Sequence, residues 1–470
     1  MGEPCVIEKN VCFVGSDKLV DIAVGHGRIA SVRPSERPTD AASKIWVIPG
    51  LWDCHTHFTQ WSYTLGRLDL IDARSAGEAL DMLRRHLEER RESGALDPNQ
   101  YVVGMRFRHS LWSDDAQPTL AAIDAVAGDQ PVALSSADMH CGWVNSAAAR
   151  KLGVDVDESG LVGELEWFDA YCKLDKGPGA ANELMHLLRN ARTRRCEQRR
   201  GRVRDYEMAE NIDTWISRFS QGLDGLRVEA GIYPERLRQA IDDGWHTGDE
   251  LPGSHGLGHV GAMKMISDGS LNTRSAYCSM PYSGIRPETY GTLSYAPEQI
   301  ESYMRLAVEH GFDIACHAIG DEANTIVLDC AERTHAHGSI EHAQMLKECD
   351  IPRLAQLGLV ASIQPQHAMD DRDVIARFWG TPAGIPYAFN SLHKAGTKLL
   401  MGSDAPVAPL DPWLAISAAV FGTESSDREP FQPEQCLDFE TALASSTAVG
   451  AWLCGTQTRP IWCFWTVIRA

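Results

Sequence analysis

Apolar positions along this chain follow two different periods, and the changes between them mark regions. Over the first 44 residues, short apolar runs alternate with turn residues, which predicts strands at Val11–Val14, Leu19–Val24 and Arg28–Val32. Gly25 and Gly27 separate the last two. Strands this short and few form a small β unit that cannot bury a core alone. Ile45–Ile48 is a further apolar strand, halted by Pro49-Gly50.

The middle of the chain reads differently. Ser75-Ala-Gly-Glu78 is a capping box, followed by Ala79, Leu80, Leu83 and Leu87 at helical spacing. Strands are predicted at Tyr101–Met105 and Pro131–Leu134, then a charged, Arg-rich helical stretch at Asn182–Arg200. This is the pattern of an α/β subdomain inserted over 61–195 beside a main sheet.

From residue 201 onward strands and helices alternate. Strands are expected at Arg202–Glu207, Leu226–Tyr233, Ala262–Ser267, Phe312–His317, Ser339–His342, Leu359–Gln364 and Lys398–Gly402. A helix over Pro297–His310 carries Ile300, Met304 and Ala307 on one face and stops at Gly311. Counting Ile45–Ile48 as the first gives eight strands in β/α alternation, the number that closes a (β/α)₈ TIM barrel. An open doubly wound sheet is the alternative, but no G-x-G-x-x-G follows a strand to favour it. The division expected is a small β unit at 1–48, a barrel at 49–60 and 196–450, the insertion at 61–195, and a tail at 451–470. No internal repeat or low-complexity stretch interrupts it.

Composition narrows the class. The 470 residues are 44% hydrophobic and 23% charged, enough apolar material for a large core. The net charge of −20 disfavours nucleic acid and anionic membrane surfaces as partners, leaving a small-molecule substrate. The 13 cysteines are scattered singly without a C-x-x-C pair, unlike a disulfide scaffold or a zinc ribbon. The first ten residues show no basic-then-apolar leader, and no apolar run reaches the roughly 18 residues of a membrane span. A reducing cytoplasm is the expected location, and a homodimer the expected assembly from symmetry base rates alone.

Chemistry concentrates where strands end. His55-Thr56-His57 follows the first apolar strands, and in extended chain residues i and i+2 face one side, so both imidazoles can reach one cation. Taken alone, that motif is equally two polar residues at a strand end. His317, His342 and Asp404 each end or follow a predicted barrel strand, and Lys264 interrupts the apolar run Ala262–Ile266. Catalytic groups of a barrel collect at the C-terminal ends of its strands, so these side chains should converge on one mouth.

The segment Val47-Ile-Pro-Gly-Leu-Trp-Asp-Cys-His-Thr-His57 resembles the opening P-G-x-x-D-x-H-x-H signature of the amidohydrolase superfamily. The segments at 263–276, 316–321, 339–344, 363–367 and 402–407, with His140-Cys-Gly-Trp-Val-Asn-Ser146, resemble its amidohydrolase-3, YtcJ-like branch, which includes N-substituted formamide deformylase. The resemblance implies a distorted (β/α)₈ barrel with one or two divalent metals, usually zinc. His55 and His57 would bind the first metal, His317 and His342 a second, with Lys264 bridging, as a carbamate if carboxylated. Asp404 would ligate metal and act as general base. An ion pair of Lys264 with Asp268 or Asp321 is the purely structural alternative. Arg274, Asp268, His140, Trp143, Gln366 and His367 are candidates for substrate binding, with Asn145 closing over it and Trp61 and Trp112 walling it. A structural role is the alternative for each.

The chain departs from the branch at its end. Members return to the N-terminal β unit with a G-x-L-x-x-G-x-x-A-D-L strand pair, which Gly455–Ala470 lacks. Either Ile461–Ile468 supplies one strand, or the small β unit is left incomplete. The function implied is hydrolysis of non-peptide C–N bonds by metal-activated water. Deamination of a small heterocycle and a non-catalytic barrel are the alternatives; Lys264 favours amide hydrolysis over deamination.

Overall fold

The computed structural model describes residues 6–16, 18–25, 28–35, 45–64, 67–174, 202–208, 210–223, 225–447 and 462–466. Eight parallel strands form the central sheet: β1 Trp52–Thr56, β2 Arg202–Asp205, β3 Arg227–Ile232, β4 Gly258–Ile266, β5 Ile314–Ala318, β6 Gly338–His342, β7 Val360–Ile363 and β8 Lys398–Met401. Each pairs with the next in sequence. The sheet closes where Thr56 bridges Ala405 and the His57 N–H donates to the Ala405 carbonyl at 2.8 Å. The result is a nearly closed TIM-like barrel. Strands such as β5 and β6 are buried at every position, as expected of a parallel sheet covered by helices.

One expectation is corrected. Ile45–Pro49 is not the first barrel strand: it lies in a separate five-stranded sheet, parallel to Val6–Phe13 and antiparallel to Trp462–Thr466. The barrel begins instead at β1, after Pro49-Gly50. Those two residues turn the chain from one sheet into the next. Only five residues long and carrying polar Asp53, His55 and Thr56, β1 lacks the apolar run that marks the other barrel strands, although all five residues are buried. In the tail, Trp462–Thr466 supplies one strand to that sheet. The helical stretch at Asn182–Arg200, Gly27 and residues 451–461 lie outside the described residues.

Between β1 and β2 a third, mixed sheet of five strands forms, with Val102–Phe107 and Val132–Ser136 parallel and Cys141–Val144 antiparallel to the latter. The capping box before it closes with one substitution of partner. Ser75 Oγ accepts from the Glu78 N–H at 3.1 Å, while the Glu78 carboxylate accepts from Arg74 N–H at 2.9 Å rather than from Ser75. The helix runs over Ala76–Glu92 and buries Ala79, Leu80, Leu83 and Leu87 as the spacing requires.

β4 starts four residues earlier than its apolar run predicts. Gly258 and Gly261 hide that extension, and Gly261 is needed there, since a Cβ would sit 2.9 Å from the Ala230 carbonyl carbon of β3.

Candidate active site

All six residues expected to form the metal set line one cavity at the C-terminal mouth of the barrel: His55, His57, Lys264, His317, His342 and Asp404. They come from strands β1, β4, β5 and β6 and from the turn after β8. Ligand atoms of His55, His342 and Asp404 lie within 4.8 Å of one another, and all three residues are buried. Asp404 Oδ1 lies 3.4 Å from His55 Nε2 and 3.3 Å from His57 Nε2. The His317 and His342 rings meet edge to face with centroids 4.5 Å apart.

The backbone is bent to make this arrangement. His342 and Ala343 have φ of 69° and 44°, and Asp404 has φ of 57°, all in the left-handed region that L side chains avoid. Each such residue costs about 1–3 kcal/mol and persists where surrounding contacts enforce it. For Asp404 the enforcing contact is its own N–H, which donates to the His55 carbonyl at 2.7 Å. Gly402 makes that approach feasible.

Among the described residues, Lys264 is not paired with a carboxylate. Its Nζ lies 3.0 Å from His55 Nε2 and 4.6 Å from the centre of the Tyr206 ring. The alternative partners are engaged elsewhere: Asp268 accepts N–H bonds from Tyr277, Ile319 and Gly320, and Asp321 accepts from Ser279. Burial lowers the Lys264 pKa, with the Glu341 and Asp404 carboxylates opposing it. Burial, then the Lys264 charge, also lowers that of His55. His317 and His342 are pushed well below the ordinary imidazole value, again by burial first and then by neighbouring cations. Burial alone would raise Asp404, but the imidazoles of His55, His57 and His342 outweigh it and hold the carboxyl well below the usual range. Imidazole nitrogens gathered around a carboxylate are a donor set for zinc, manganese, cobalt or iron. Among the described residues, Nδ1 of His57 and Nδ1 of His342 are buried without a hydrogen-bond partner, which fits nitrogens meant for a cation.

The residues expected to bind substrate separate into two groups. His140 and His367 line the cavity. His140 Nδ1 donates to Glu164 Oε2 at 3.0 Å, and His367 Nε2 lies 3.8 Å from Asp404 Oδ2. Asp268, Arg274, Trp143 and Gln366 are not among the lining residues. Asp268 sits behind His317, at 3.5 Å, holding the loop amides named above. Arg274 folds back onto the Asn272 carbonyl and the Phe378 ring. Trp143 is fully buried in the third sheet, and Gln366 donates to Glu424 away from the cavity. Asn145 caps the helix Ser146–Leu152, Trp112 is buried with its Nε1 donating to Ala73, and Trp61 packs against the barrel core.

Two residues at the site escaped the sequence reading. Glu341, next to His342, places Oε2 2.6 Å from His55 Nδ1. Gln364, at the end of β7, places Nε2 3.5 Å from the same nitrogen. For Glu341 the signal was present, a charged residue inside an apolar strand like Lys264.

Comparison with known proteins agrees with this geometry. The sequence signature of the Amidohydrolase family, Amidohydro_3, matches residues 41–460. YtcJ of Bacillus subtilis (strain 168) is 26% identical over 84% of this chain and 78% of its own length. N-substituted formamide deformylase of Arthrobacter pascens is 24% identical over 91% of this chain and 84% of its own. The crystal structure of an uncharacterized metal-dependent hydrolase from Pyrococcus horikoshii OT3 has the same fold, with TM-score 0.74 and 22% identity, covering 97% of this chain and 96% of that one. With the signature spanning most of its length, this chain belongs to the amidohydrolase family.

Proposed function

We propose that the protein is a metal-dependent hydrolase of C–N bonds other than peptide bonds, acting on an amide, formamide, carbamate or cyclic amide of a small molecule. The observation that carries this reading is the convergence of His55, His342 and Asp404 within 4.8 Å at the barrel mouth. In this reading His55, His57, His317, His342 and Asp404 would hold one or two divalent cations, zinc being the expected metal, and Lys264 would be a further ligand. A bound cation of this kind supplies Lewis acidity and brings the pKa of water from 15.7 to about 7.

The chain's own residues do the rest. Asp404 is already ionised and accepts a proton from the attacking water through its carboxylate, then returns it to the departing amine. Lys264 is carried toward its neutral form by burial, the form that can ligate or be carboxylated. His140 and His367, on the cavity wall, orient the substrate. The likeness to a formamide deformylase supports an amide substrate over a heterocycle to be deaminated.

The test is a screen of N-formyl and N-acyl compounds with the metal-loaded protein, reading carboxylate and amine release, beside a parallel assay for ammonia from aminated heterocycles. Turnover of amides lost in Asp404→Asn supports the reading. Ammonia release without amide turnover would replace it with a deaminase.

A further inference from the structure

Glu341 lies on β6 beside His342 and is fully buried. Its two oxygens are used differently. Oε1 accepts from the Ser339 hydroxyl at 2.5 Å and faces the Tyr206 hydroxyl at 3.3 Å. Oε2 meets Nδ1 of His55 at 2.6 Å. Tyr206 also packs edge-on against the His55 ring, with centroids 4.9 Å apart and planes at 77°. The imidazole is therefore gripped at one nitrogen and braced by an aromatic ring.

A carboxylate only accepts, so Nδ1 of His55 carries the proton and Nε2 keeps its lone pair. Nε2 is the nitrogen that lies 3.4 Å from Asp404 Oδ1 and 3.0 Å from Lys264 Nζ. No carboxylate grips Nδ1 of His57 or Nδ1 of His342 among the described residues. Carboxylates that accept from the far nitrogen of a ligating histidine fix its tautomer and ring orientation and raise its basicity.

We propose that Glu341 is a positioning residue for His55, fixing its tautomer and ring plane so that Nε2 faces the cation. This rests on the reading above that a cation is held there. Glu341 itself is not among the residues that line the cavity.

The experiment is titration of Co²⁺ into metal-stripped, full-length wild type, Glu341→Gln and Glu341→Asp, followed by calorimetry and by the visible spectrum of the bound ion, with thermal unfolding as the control for folding. Gln keeps the shape and loses the charge; Asp keeps the charge and, one methylene shorter, loses the reach to Nδ1. Both variants should bind Co²⁺ about 10–100-fold more weakly and with an altered spectrum while remaining folded. Wild-type affinity and spectrum in Glu341→Gln would overturn the assignment. So would wild-type values in Glu341→Asp with a loss in Gln, since charge alone would then account for the effect. If both variants fail to fold, Tyr206→Phe and Ser339→Ala, which leave the carboxylate in place but loosen it, should weaken Co²⁺ in the same direction, and unchanged affinity in both overturns the assignment. A wild type that binds neither Co²⁺ nor Zn²⁺ would instead sink the hydrolase reading, and this assignment with it.

Discussion

His55 and Asp404, one on the first barrel strand and one just past the last, are joined twice. The Asp404 N–H donates to the His55 carbonyl at 2.7 Å, and Asp404 Oδ1 stands 3.4 Å from His55 Nε2. The seam that closes the barrel is thus the seam that builds the site. Disturbing barrel closure and disturbing the chemistry should therefore be hard to separate at this place.

Gly402 tests that coupling. A Cβ at this position would lie 2.6 Å from the His55 backbone nitrogen and 2.7 Å from its Cβ, contacts no ordinary side chain makes. Gly402→Ala should force β8 and β1 apart, costing about 1–3 kcal/mol of stability as overpacking does. It should also weaken metal binding, although residue 402 offers no ligand atom. Denaturant unfolding and metal titration on the same protein check both; a stability loss with unchanged metal affinity would uncouple seam from site.

Asp404→Asn keeps the shape of the carboxyl and removes its ability to take a proton. The expected loss in kcat/KM is about 10²–10⁴-fold, the usual contribution of a general acid–base group. The fold should survive, because the bond from the residue 404 N–H to His55 is a backbone bond. A variant within a few-fold of wild type would remove Asp404 from the proton path.

The His140–Glu164 pair makes a pH prediction. Burial opposes the charge on His140, but the adjacent Glu164 carboxylate wins and pushes its pKa up to about 9 from 6.5. Burial likewise opposes ionised Glu164, and His140 together with the Ser275 and Thr273 hydroxyls brings it down to about 2 from 4.5. A histidine with a raised folded pKa stabilises fully below 6.5 and loses that contribution as pH rises through about 9. A carboxylate with a depressed folded pKa stabilises above 4.5 and loses the contribution as pH falls toward about 2. The difference in unfolding free energy between wild type and His140→Gln should be largest between these windows and shrink toward alkaline pH. A difference that stays flat up to pH about 10 would contradict the pairing.

How much of this was legible beforehand depends on what each residue does. The barrel and the gathering of His317, His342 and Asp404 at its mouth were legible because they repeat one rule: an apolar strand ending in, or just followed by, a side chain able to bind a cation. β1 was missed because it is short and three of its five residues, Asp53, His55 and Thr56, are polar, so Ile45–Ile48, the neighbouring apolar run, took its place. Arg274, Trp143 and Gln366 stand in family motifs yet are not among the residues lining the cavity, which a motif cannot reveal, since side-chain direction is set by tertiary packing. Glu341 carried the same signal as Lys264. It was overlooked because strand ends, not strand interiors, draw attention in a barrel.

The most direct test of the account is metal content by plasma mass spectrometry, on protein purified without chelator or added metal, beside a His55→Ala/His57→Ala double variant. The account predicts one to two equivalents of a divalent transition metal in the wild type and a sharp loss in the variant. A folded wild type that stays empty after zinc or manganese is supplied would contradict it, and leave a barrel with the family's fold but without its chemistry.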